Sequence, residues 1–525
     1  MRRKKMSMQT GNNAASKSDQ SANGLHKASA LTQQYASFIE SAASLELPDE
    51  ASQRAITGFI DTIGTMIAGR DEPVVGIVRE WLGTGSAAPG SAAQGLAASS
   101  VLMGSERASA EVAAWINGAA AHALDFDDVA LGGHPSTVLV PAIMAEAQRL
   151  NRSGRDVVTA YLVGYEVWAD LVNREKGSHH LKGWHPTAVF GVIGAAAACG
   201  FLNRDAAQIC QMGLAIAGSF AAGLVANFGT MTKPFHAGMA ASHGISAMRL
   251  ARLGMTATPD AMEHHAGFLK AISEHNDVDR FSPADSLGKP WKILHAGLSI
   301  KRYPLCYATH RVIDGVLALR DQHHLKPDDV ESVEAVIGVA QASMLRNHQP
   351  STGLEAKFSL QFAIASALVE GAVGLNQLTD QVVAKPDVRE QFSKLKISIT
   401  EQNCPIEPAF SYADRVRLKL RNGSMLDTGE IRFAKGNAMN PLSLEELEDK
   451  FLDCASRAHG VDGNQSYKSW IDSTVNKSMI RLDGAIRTVP RERPITALLS
   501  GGKASISFQD VLSWRDDHLE KKGWS

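Results

Sequence analysis

Apolar side chains recur at three- and four-residue spacing through most of the first half of the chain. ASQRAITGFIDTIGTMIAG, residues 51–69, is one such run, and it stops at a glycine. GRDVVTAYLVGYEVWADLVN, residues 154–173, is another. This period puts the apolar positions on one face of a helix, and a glycine at the end of the last turn is a common stop. From about Leu31 to Leu287 the pattern therefore predicts one helix after another. Small residues dominate from Ala188 to Ala226. Helices faced with Ala and Gly can pack at short interaxial distance, so the pattern predicts a tight, many-helix core. No repeat of fixed period stands out.

The pattern changes near Lys289-Pro290. One more helix follows, Val312 to Gln322, and then strand signals begin. VESVEAVIGVA and LKISITEQ are alternating or β-branched. RVRLKLRNGSMLDTGEIRF reads as a hairpin turning at Asn422-Gly423. Between them, AKFSLQFAIASALVEGAVG reads as a buried helix. Helix returns at LEELEDKFLDCASRA, opened by the capping box Ser443 to Glu446. The predicted layout is a large all-helical domain over 30–289, completed by 433–485, with a smaller α+β domain over 290–432. Residues 1–29 read as a disordered leader and 486–525 as a loosely packed tail.

Composition narrows the function class mainly by exclusion. The 525 residues carry a formal net charge of −2, so nothing suggests a nucleic-acid or membrane surface. An anionic ligand would need a local cluster of Lys, Arg and His. The cysteines Cys199, Cys210, Cys306, Cys404 and Cys454 are scattered, with no CxxC pair, which argues against a disulfide framework or a cysteine metal site. A reducing cytoplasm fits that usage. The basic N-terminus lacks the apolar stretch of a secretory signal. The apolar run from Thr187 to Leu202 is shorter than the roughly 20 residues of a membrane span, so it reads as a buried core helix.

Four separated stretches carry candidate chemistry. HALDFDDVALGGHPST sets Asp125, Asp127 and Asp128 beside His122 and His134. KGWHPTAVFG carries Lys182 and His185. GTMTKPFHAGMAASHG carries Lys233, His236 and His243. KRYPLCYATHRVID carries Lys301, Arg302, Tyr303, Cys306 and His310. Three of them contain an X-Pro step, at His134, His185 and Lys233, which discourages helix at the preceding residue and would project its side chain from a helix end. Helix starts present free N–H groups that suit carboxylates. The expected site is one cavity with several cations and at least one carboxylate, fit for proton transfer beside a substrate carboxylate. Asp127 and Asp128 also fit plain helix-terminus roles, His122 and His243 fit core histidines, and Cys306 fits a small core thiol. The doublets His179-His180, His264-His265 and His323-His324 read as surface features. No HExxH, P-loop, GxSxG or dinucleotide fingerprint is present, and no metal is expected.

Taken in order, LDFDD…HPS (Leu124 to Ser136), GWHPTAVFG (Gly183 to Gly191), TKPFHAG (Thr232 to Gly238), KRYPLCYATHRVID (Lys301 to Asp314), AKFSLQF (Ala356 to Phe362) and KGNAMNPLS (Lys435 to Ser443) resemble the MmgE/PrpD family. That family includes 2-methylcitrate dehydratase, cis-aconitate decarboxylase and iminodisuccinate epimerase. The resemblance, over about 30–480, implies a large helical domain, a smaller α+β lid domain and a homodimer. It implies an active site between the domains that uses no metal or organic cofactor. The family's pocket positions carry over as Asp125, His134, His185, Lys233 and Lys301. Arg302, Tyr303, Cys306 and His310 are the expected substrate-binding neighbours. The chain departs from the family pattern at Val129, commonly threonine, and at Cys306, where decarboxylase-like members have histidine. It also reads HPSTV where 2-methylcitrate-dehydrating members tend to read HPSDN.

A carbanion beside a carboxylate must be stabilised electrostatically. Lys233 and Lys301 are the expected clamp, His134 or His185 the proton carrier, and Asp125 the group that orients that histidine or holds its charge. Dehydration, decarboxylation and epimerisation all use these residue types. The leading expectation is a lyase acting on a small di- or tricarboxylate. The alternatives are an epimerase of an aminated or iminated dicarboxylate and a non-catalytic carboxylate-binding protein.

Overall fold

A computed structural model of the chain describes residues 30–83, 99–102, 106–175, 179–273, 277–407 and 410–457. The expected leader and tail, and most of the Gly/Ser-rich run after Trp81, lie outside the described residues.

The first part is mostly helical. Its long helices span Leu31–Ser41, Asp49–Gly69, Ala110–Ala123, Ser136–Leu150, Gly154–Asn173, Gly191–Asn203, Ala207–Ser219 and Thr232–Arg252. It is not purely so, because Ser99–Ser100 pairs antiparallel with Arg107–Ala108 in a short ribbon. Small residues close the packing within 188–226, where the Gly194 carbonyl oxygen would lie 2.7 Å from a Cβ on Gly164, and outside it as well. A Cβ on Gly118 would lie 2.8 Å from the Gly238 Cα, so the helices Ala110–Ala123 and Thr232–Arg252 meet backbone to backbone. The first of these helices carries His122 and the second Lys233, so this contact sets the distance between two site elements. The apolar segment Pro186–Asn203 is the one described stretch long and apolar enough to cross a membrane, and 94% of it is buried inside the protein.

The second part is built on a four-stranded mixed sheet. Strand Val330–Gly338 pairs parallel with Leu395–Thr400 and antiparallel with Arg415–Leu420, which pairs in turn with Met425–Asp427. Val333, Ala335 and Ile337 alternate inward, as do Val416, Leu418 and Leu420. A register shift between Val330 and Ser332 brings Val330 to the same buried side. They pack with Val312 and Val316 of the helix His310–His323 and with Phe362 and Ala363 of the helix Leu360–Val369. The outer face carries ion pairs such as Arg417–Glu334 and Lys419–Glu331.

The change of core comes later in the chain than the change of pattern. Trp291, Ile293, Leu298 and Ile300 still belong to the helical core, and the second core begins at Tyr303, apart from Phe228. Pro290 is thus a break in local pattern rather than in packing. The capped helix Leu444–Ser456 returns to the first core, placing Leu447 and Phe451 there.

Candidate active site

The loop after the helix Ala110–Ala123 organises the site. Its three aspartates, all buried, take three different roles. Asp128 is the structural one. It accepts from the Ser136 N–H at 3.2 Å and from the Ser136 hydroxyl, at the start of the next helix. Burial, with Asp61 nearby, pushes its carboxyl well above the usual range.

Asp127 is the orienting carboxylate. It lies 2.9 Å from His122 Nδ1 and 3.0 Å from His134 Nδ1. Asp125, expected to orient the proton-carrying histidine or to hold its charge, has its Oδ1 4.0 Å from His134 Nε2, beyond hydrogen-bond reach. His134 Nδ1 also faces the Asp128 carbonyl at 2.8 Å. Both neighbours of Nδ1 are acceptors, so neutral His134 carries its proton there and leaves a lone pair on Nε2. Burial lowers the His134 pKa, opposed by Asp127 and reinforced by Lys233 and Lys301.

Asp125 is the counter-ion of the lysines. Its Oδ1 accepts from Lys233 Nζ at 2.5 Å and from Lys301 Nζ at 2.9 Å, and its backbone carbonyl accepts from Lys301 at 2.8 Å. Burial would raise its carboxyl, yet Lys233 and Lys301 bring it well below the usual range. Lys301 is fully buried, and Lys233 lies against the Phe228 and Phe358 rings. Lys233 does not precede its helix as the proline suggested. It stands in the first turn of Thr232–Arg252, where Pro234 sits among N–H groups that have no helical partner.

These groups open into a cavity of about 910 Å³ between the two parts of the chain. Asp125, His134, Lys233, Lys301 and Cys306 line it, together with Phe358 and Phe410 from the second part. Three expected neighbours do not line it. Arg302 points outward with its side chain 48% exposed, and Tyr303 donates to Asp314 at 2.7 Å. His310 is buried against the rings of Tyr303 and Tyr307. His185 is brought to the cluster but stands behind the cavity wall, with its Nδ1 3.2 Å from His236 Nδ1 and its ring stacked near His122. Burial holds His185 well below the usual histidine value, with Lys233 adding to the effect.

Other residues line the cavity without a clear signal in the sequence. Tyr307 does, with its hydroxyl accepting from Asn437 at 2.7 Å. His179 and His180 do too; His179 is buried, so this doublet is not a surface feature. Lys357 and Lys450 support the loop from outside the cavity. Lys357 lies in AKFSLQF, residues 356–362, whose pattern does not set the lysine apart. Lys182 serves structure, donating to the Ser273 carbonyl at 2.5 Å.

His122, Asp125, Asp127 and His134 present ligand atoms within 4.8 Å of one another, close enough to hold a cation. Asp125 Oδ1 is already shared by two ammonium groups. A divalent ion there would face Lys233 and Lys301 at short range, so this charge arrangement suits an anion better. The lysines keep N–H groups in reserve. Each has three, and among the described residues Lys233 spends one and Lys301 two.

The family described as MmgE/PrpD N-terminal domain matches residues 33–280, and the MmgE/PrpD C-terminal domain matches 303–471. The chain is 30% identical over 451 residues to cis-aconitate decarboxylase of Homo sapiens, covering 83% of this chain and 90% of the relative. It is 31% identical over 359 residues to cis-aconitate decarboxylase of Mus musculus, covering 66% of this chain and 72% of the relative. A cis-aconitate decarboxylase-like protein of Aspergillus oryzae is 27% identical over 304 residues, covering 53% of this chain and 62% of the relative.

Proposed function

The chain belongs to the MmgE/PrpD family, and from that premise we propose that it is a decarboxylase-type lyase acting on a small unsaturated tricarboxylate, with cis-aconitate the first compound to test. One observation carries the reading. Lys233 and Lys301 share Asp125 Oδ1 in a cavity that His134 also lines.

The chemistry follows from that arrangement. The retained carboxylates of the substrate take the spare N–H groups of Lys233 and Lys301. The C–C bond to the departing carboxylate breaks, and carbon dioxide leaves. The bonding pair forms a new double bond, and the displaced π pair moves toward a retained carboxylate as a dienolate. Ammonium groups already fixed by Asp125 stabilise that charge without reorganising. A proton from His134 Nε2 then reaches carbon, so one proton is consumed per carbon dioxide released. His134 needs that proton beforehand. A bound polyanion raises the imidazole pKa, and Asp127 balances the imidazolium.

The proposal carries with it a homodimer, a reducing compartment and no cofactor. The test is proton NMR in D₂O with cis-aconitate, citrate and 2-methylcitrate. Decarboxylation gives a product one carbon shorter with one deuterium on carbon. Loss of water from citrate or 2-methylcitrate marks a dehydratase instead. Exchange without a new product marks an epimerase. Lys233→Met should abolish turnover while leaving the fold intact. A folded Lys233→Met with unchanged turnover would sink the charge clamp.

A further inference from the structure

The loop that carries Asp125 is held by three buried lysines from distant parts of the chain and by His134 close by. Lys357 Nζ donates to the Ala123 carbonyl at 2.8 Å. Lys301 donates to the Asp125 carbonyl at 2.8 Å, and Lys450 to the Phe126 carbonyl at 2.7 Å. His134 Nδ1 reaches the Asp128 carbonyl at 2.8 Å. Lys301 and His134 line the cavity; Lys357 and Lys450 do not. Lys450 is itself fixed by Asp61 at 2.5 Å and lies 4.1 Å above the Phe126 ring.

The loop has reason to need such a hold. Asp125 stands in the left-handed region with φ +53°, a conformation that costs a non-glycine residue on the order of 1 kcal/mol or more. Its turn is surrounded by buried carbonyls that would be costly without donors. An ammonium is a strong donor to a carbonyl, and it also compensates for Asp61, Asp125 and Asp127 close by.

We propose that Lys357 and Lys450 are positioning residues: they fix the Ala123–Phe126 turn so that the Asp125 carboxylate meets Lys233 and Lys301. This rests on the lyase reading only for its activity readout. Lys357 belongs to the second part of the chain and Lys450 to the capped helix Leu444–Ser456, so the turn joins three separated regions.

The experiment uses the full chain. Hydrogen–deuterium exchange of a peptide spanning 122–129 is measured in wild type, Lys450→Met and Ser443→Ala, alongside steady-state turnover of cis-aconitate. Ser443→Ala removes the N-cap of the same helix without touching the turn, so it controls for simple loss of stability. Lys450→Met is expected to speed exchange across 122–129 about tenfold and to lower kcat about tenfold or more, with KM within about threefold, as loss of alignment rather than of uniform binding predicts. Ser443→Ala is expected to leave both readouts near wild type. Equal effects from the two variants, or unchanged exchange in Lys450→Met, would overturn the proposal. If Lys450→Met does not fold, Lys357→Met is read by the same two criteria. A wild type that turns over no acid, paired with a loosened loop in the variant, overturns the lyase reading and leaves the positioning role standing.

Discussion

His134 is where the direction of proton transfer can be read. Its ring proton sits on Nδ1 against Asp127 and the Asp128 carbonyl, so the reacting nitrogen is Nε2. Its folded pKa is below the ordinary 6.5 through burial, and Asp125 and Asp127 stay ionised far below that. A decarboxylase needs Nε2 protonated in the enzyme that captures substrate. Its kcat/KM should therefore rise as pH falls from about 8 toward 5, where a reaction using His134 as base would rise in the opposite direction. A profile of kcat/KM over that range decides between them. Asp127→Asn removes the charge that supports the imidazolium. It should shift the limb to lower pH by about one unit and cut neutral-pH activity about tenfold. An unshifted limb would mean that the titrating group is another residue.

At the scale of elements, the site depends on how closely the helices Ala110–Ala123 and Thr232–Arg252 approach. A Cβ on Gly238 would lie 2.1 Å from the Trp115 carbonyl oxygen. Backbone cannot yield there without separating the helices. Gly238→Ala should cost about 1–3 kcal/mol of stability, as overpacking does. It should also lower kcat, because Lys233 on one helix moves away from Asp125 at the end of the other. Urea unfolding and turnover measured together test this. A variant with wild-type stability and turnover would show that the contact relaxes without moving the lysine.

The whole molecule holds several imidazoles neutral at once. His122 and His310 are each held down to about 3 by burial, and His185 is also well below its usual value. Unfolded chain takes up these protons below about 6.5, while the folded state does not until much lower pH. Their contribution to stability is thus fully present above about 6.5 and is lost as pH falls toward 4. Each such group costs up to about 1.4 kcal/mol per pH unit, and three together about 4, which is large against a typical stability of 5–15 kcal/mol. Asp125 and Asp127 add the same sign, but only below about 3.8. The thermal midpoint should therefore fall steeply between pH 6.5 and 5. A flat midpoint across that interval would show that the buried rings accept protons in place.

Much of this was legible in the chain. Helical period, the capping box at Ser443 and the hairpin turn at Asn422-Gly423 are local signals, and the structure carries each of them. The motifs around Asp125, His134, Lys233 and Lys301 were legible for a related reason, since each lies at a local break in helix pattern that the sequence displays. What partners what was not legible. That Asp127 rather than Asp125 orients His134, that Arg302 faces away while Lys301 beside it is buried, and that Lys450 reaches Phe126 across 324 positions are all outcomes of packing. Periodicity records which face of an element is buried, not which distant group meets it there. Side chains such as Lys357 and Lys450, ordinary in their own surroundings, acquire a role only when tertiary structure places a carbonyl within reach and removes the water that would otherwise have bound it.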